Sequence, residues 1–68
     1  MKFQFSEIKG ERVRTYIFPG DVHFVVEHVA RIHVRPSGSH RLETRSGVKY
    51  IVPAKWVAIR IEADDWSL

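Results

Sequence analysis

Residues 29–52 read VARIHVRPSGSHRLETRSGVKYIV, and this stretch decides the fold. Ala30, Ile32 and Val34 alternate with Arg31, His33 and Arg35. Leu42 and Thr44 alternate with Arg41, Glu43 and Arg45, and Val48, Tyr50 and Val52 with Lys49 and Ile51. A period of two marks a strand with one buried face. Pro36-Ser37-Gly38 and Arg45-Ser46-Gly47 separate the three runs. In a three-residue hairpin loop the third residue takes the left-handed conformation, which glycine adopts without Cβ strain. Loops of that length set the register. Ile32 falls opposite Leu42, Arg31 opposite Glu43, Leu42 opposite Tyr50, and Glu43 opposite Lys49. A slip of one residue would carry charges into the core. Each opposite-charge pair across strands adds about 0.2–1 kcal/mol.

Working outward, the last strand should present Val57, Ile59 and Ile61 on one side and Arg60 on the other, after a connection from Pro53 to Trp56. The meander then runs over 29–62 and leaves an irregular tail, 63–68. On the N-terminal side, Phe3 and Phe5 suggest a first strand, and Gly10 breaks it. Val13, Thr15 and Ile17 suggest the buried face of a second, with Arg12, Arg14 and Tyr16 outside. Pro19-Gly20-Asp21 is turn chemistry. Asp21 to Ala30 admits a short helix capped by Asp21, but four valines favour a strand, since β-branched side chains lose rotamer freedom in a helix. The expectation is one mostly β domain, 1–68. Its architecture is a five- to six-stranded antiparallel meander, forming a strongly bent sheet or a small SH3-like barrel, with little or no helix.

Sixty-eight residues allow one core. A chain this short buries roughly 60% of its unfolded surface, so stability should be about 3–5 kcal/mol. The absence of cysteine excludes disulfides and thiolate zinc sites. Residues 1–5 have no apolar leader run, and no apolar stretch reaches the ~20 residues of a membrane helix. The cytoplasm is therefore the expected location, without a membrane partner.

Eleven Lys/Arg and eight Asp/Glu give a net charge of +3. On the expected register Arg31, His33, Arg35, Arg41, Arg45, Lys49 and Arg60 share one face. Arginine forks match phosphate geometry, so this face is a candidate surface for nucleic acid. The aromatic or edge candidates for a partner are Trp56, Trp66 and Tyr16. Trp and Arg also dominate protein interfaces, and Ile51 lies exposed on the basic face.

The four histidines lack metal-ligand spacing, and Arg31 and Arg35 flank His33, so no metal or other cofactor is expected. The serines occupy turns without nucleophile-elbow context, and no glycine-rich phosphate loop is present. A small sheet also leaves little room for a water-excluding pocket, so neither catalysis nor a small-molecule substrate is expected.

The hairpin Thr44-x-x-Gly47-x-x-Tyr50-x-Val52 is similar to one in the LytTR DNA-binding domains, over less than half the chain. The expected function is a non-catalytic binding module, a small bacterial or phage-like accessory protein acting by protein contact or self-association. The alternative is a nucleic-acid-binding domain using the arginine-rich face.

Overall fold

The structure is a computed structural model, and it describes residues 5–64. Seven strands are present: β1 (Ser6–Glu7), β2 (Glu11–Phe18), β3 (Val22–Glu27), β4 (Val29–Val34), β5 (His40–Thr44), β6 (Lys49–Val52) and β7 (Ala58–Ala63). They form two antiparallel sheets, ordered β1-β4-β5-β6 and β3-β2-β7. No helix occurs among the described residues, so none is long and apolar enough to cross a membrane.

The central hairpins have the expected register. Arg31 pairs with Glu43, Ile32 with Leu42, Leu42 with Tyr50, and Glu43 with Lys49. Gly38 and Gly47 have φ of 90° and 88°, the left-handed conformation the loops require. In each loop the glycine N–H returns to the strand end: Gly38 to the Arg35 carbonyl at 2.8 Å, Gly47 to the Thr44 carbonyl at 3.0 Å.

β3 and β4 act as one strand bent at His28, whose φ is 55°. The His28 N–H donates to the Arg12 carbonyl of β2 at 3.0 Å. Its own carbonyl accepts from the Arg45 N–H, beside β5, at 2.9 Å. One residue therefore ties both sheets, and the bend turns a strand pair into a sharply curved sheet. Ala30 is a bulge: Val29 pairs with Thr44 while Arg31 pairs with Glu43.

The expected meander ends at β6. β7 does not pair with β6 but crosses to β2, in the other sheet. The crossing takes residues 53–57, one more than expected, and Val57 is exposed. No ladder joins β6 to β7 among the described residues, so the sheet is bent and the barrel stays open. The expected first strand begins at Phe3, outside the described residues.

The face of β2 is the main correction. Of the expected buried face Thr15 is indeed buried and Val13 and Ile17 are half-buried, but the side chains that enter the core are those of the opposite face, Arg14 and Tyr16, with Phe18 packed beside them. Arg14 and Tyr16 are fully buried. Both sides of this strand carry bulk, so alternation alone does not choose between them. A bulge at Arg12, where Glu11 pairs with Ala63 and Val13 with Glu62, puts Glu11 on the same side as Arg14. The acid neutralises the arginine there and makes the inward face affordable. The core is otherwise Ile8, Val26, Val29, Ile32, Leu42 and Val52, with Phe18, Phe24, Tyr50, Trp56 and Ile59 packed around it.

Candidate functional site: a slot between two strand edges

The predicted basic residues separate into groups. Arg31, His33, Arg41 and Lys49 do share the outer face of the four-stranded sheet, by register. Arg35 stands at the mouth of the first hairpin loop and Arg45 in the second turn. Arg60 lies on β7, in the other sheet, near Glu62 at 3.8 Å, and does not join that face. Across the face, Glu7, Arg31, Glu43 and Lys49 stand side by side on four successive strands. Arg31 and Glu43 form an ion pair. The row alternates in sign and neutralises itself.

The aromatic candidates also move. Tyr16 belongs to the interior rather than to an exposed face, because β2 turns its even-numbered side chains inward. Trp56 is half-buried over Tyr16 and His40, with ring centroids at 5.0 and 4.7 Å. Trp66 lies outside the described residues. An unforeseen aromatic, Phe5, takes a place on the charged face, 5.6 Å from the His33 ring and 5.4 Å from the Arg31 guanidinium. Its position ahead of β1 puts it beside β4, which the sequence could reveal only through the β1–β4 pairing.

A depression lies elsewhere, between the two sheets. β3 and β6 are each the last strand of their sheet, with one edge unpaired among the described residues. A cleft of ≈ 520 Å³ opens between Val25, Glu27 and His28 on one side and Thr44, Arg45, Ser46, Val48 and Tyr50 on the other. A groove of ≈ 320 Å³ follows, lined by Phe18, Val22, His23 and Phe24 against Ile51, Val52 and Pro53. The two share β3 and β6 as walls. Phe24 and Tyr50 meet edge to face between those walls, with centroids 5.4 Å apart. Val22, Val25, Val48 and Ile51 border this slot and are 57%, 54%, 46% and 65% exposed. They are four of the seven exposed large apolar side chains among the described residues, so exposed apolar surface is concentrated here rather than scattered.

The interior holds a polar chain that sequence reasoning missed. Arg14 donates to both carboxylate oxygens of Glu11, at 2.8 Å from Nη2 and 3.1 Å from Nε. Arg14 Nη1 donates to the Tyr16 oxygen at 3.2 Å, and the Tyr16 hydroxyl meets His40 Nδ1 at 2.6 Å. With Arg14 donating into the Tyr16 oxygen, the arrangement that gives the hydroxyl proton a partner has it donated to His40 Nδ1, with the ring proton on Nε2. Burial, with the Arg14 charge added, lowers the His40 pKa and so favours the neutral imidazole. Burial raises the Tyr16 pKa, despite the opposing pull of Arg14. For Arg14 itself burial pulls the pKa down most, but its bonds to Glu11 and Tyr16 together raise it. Tyr16 and His40 belong to different sheets, so their hydrogen bond ties the two layers.

The Tyr16 oxygen is held from both sides, by Arg14 and by His40, and all four side chains of this polar chain are buried. Among the described residues no group of three or more His, Asp or Glu is placed to hold a metal ion. Comparison with protein-family models, with curated proteins and with solved structures finds no match.

Proposed function

We propose that the chain is a non-catalytic binding module that works by protein contact along the slot between β3 and β6. The observation that carries this reading is the clustering of Val22, Val25, Val48 and Ile51 along two unpaired strand edges. An unpaired edge offers a row of backbone donors and acceptors, and adjacent apolar pockets select side chains of an added strand. The test is a photocrosslinking side chain placed at position 48 or 51, with Lys55 as an exposed control outside the slot. Slot positions should give one discrete protein adduct and the control none. Equal labelling from all three sites, or none at all, would contradict the reading.

Phe5 between Arg31 and His33 favours a second reading, nucleic acid on the outer face of the four-stranded sheet. A stacking ring beside a guanidinium suits a base and its phosphate. The Glu7 and Glu43 carboxylates in the next row oppose it. Phosphate contacts release counterions, so affinity for single-stranded DNA or RNA should fall steeply between low and moderate salt. Absence of binding at low salt removes this reading.

A further inference from the structure

We propose, building on the slot as a protein-binding surface, that its occupant is a second copy of this chain, paired antiparallel through β3 about a two-fold axis at Val25. β3 is the less protected of the two slot edges. Native edge strands are kept apart by lysine, proline, bulges or shortness. β6 is four residues long, carries Lys49 and meets Pro53, whereas β3 runs six residues as VHFVVE with none of these devices. Its ladder with β2 is regular from Val22 to Glu27, without a bulge.

The backbone fixes which residues can pair. The His28 N–H bonds to the Arg12 carbonyl, so alternation turns the even-numbered groups of β3 toward β2. The N–H and C=O groups of His23, Val25 and Glu27 then face the open edge. A two-fold axis through Val25 sets Val25 opposite Val25, and His23 opposite Glu27 of the second copy at both ends. Phe24 falls opposite Val26 on the inner side. Neighbouring registers are worse. An axis at Phe24 brings Glu27 against Asp21 of the second copy, and an axis at Val26 brings Glu27 against Val25. Only the Val25 register sets the His23 ring, which can donate a hydrogen bond, opposite the Glu27 carboxylate at both ends of the strand. It joins two three-stranded sheets into one of six. Isologous pairing of this kind closes at two copies.

Sedimentation equilibrium across a concentration series tests the dimer. The mass should rise from 7.9 kDa toward twice that value. Val25→Lys sets two cations face to face at an exposed position and should weaken association at least tenfold, with the monomer's circular dichroism unchanged. Glu27→Lys should also weaken it, and His23→Glu combined with Glu27→Lys should restore it, because the pair is exchanged rather than lost. A dimer indifferent to Val25→Lys overturns the proposal. So does a monomer at every concentration. If that monomer crosslinks another protein from position 48 or 51, the slot keeps its function with a different occupant. If it crosslinks nothing, the protein-binding reading falls as well.

Discussion

The two sheets meet in one core but hold it by different means. The four-stranded sheet contributes mainly aliphatic side chains, Val29, Ile32, Leu42 and Val52, which need no partner once out of water, beside the buried His40 and Thr44 at the ends of β5. The three-stranded sheet contributes Glu11, Arg14 and Tyr16, which are buried with hydrogen bonds and a charge pair. Apolar burial is additive and tolerant. A buried ion pair is conditional, because removing one member leaves the other charged and unsolvated. The aliphatic half should therefore yield gradually to mutation, and the ionic half abruptly.

The largest effect is expected at the ion pair. Glu11→Ala strands the Arg14 guanidinium and should cost about 3–5 kcal/mol, enough to unfold a chain of this size. Exchanging both members, Glu11→Leu with Arg14→Met, should recover most of that loss. Urea denaturation of the single and double variants measures the contrast. If Glu11→Ala unfolds no more easily than the parent, the ionic half is not conditional. On the aliphatic side, Leu42→Ala should cost about 2–5 kcal/mol through lost burial and a cavity, still with a cooperative transition. Smaller again is Tyr16→Phe, which leaves Arg14 Nη1 and His40 Nδ1 each short of a partner, at about 1–3 kcal/mol.

Acid should act where the two sheets meet, because His40 of β5 is bonded to Tyr16 of β2. His40 has its pKa lowered in the fold, so the unfolded chain takes up the proton first. Its contribution to stability is complete above the ordinary histidine pKa of about 6.5 and declines as pH falls below it. Thermal melts between pH 7 and 5 should show the decline, and His40→Gln should flatten it. The smallest effect belongs to the surface. Arg31→Ala should cost no more than about 1 kcal/mol, since its pair with Glu43 is half in solvent.

The same contrast explains how much of the molecule was legible. Residues 29–52 were readable because one face is polar, the other apolar, and two glycine loops pin the register. β2 was not, because its odd positions, Val13, Thr15 and Ile17, look more like a core than Arg14 does. Only the bulge at Arg12, a backbone irregularity with no sequence mark, brings Glu11 round to Arg14. β7 was misplaced for a related reason. Ile59 and Ile61 show which side of that strand is buried, but side-chain alternation does not say which neighbour it pairs with. The basic face was legible in its residues but not in its sum. Four of them share a sheet face, while Arg60 goes to the other sheet and Glu7 joins the row from β1. The slot depends on where two sheets diverge at His28, and a positive φ at a histidine is not something its neighbours announce.

The most direct test of the working surface is residue-resolved amide exchange along β3 in dilute protein. The amides of His23, Val25 and Glu27 should exchange orders of magnitude faster than those of Phe24 and Val26, which the β2 ladder holds, and should slow as concentration rises. Equal protection of odd and even amides in the dilute monomer would mean that the β3 edge is already paired, and would contradict the account.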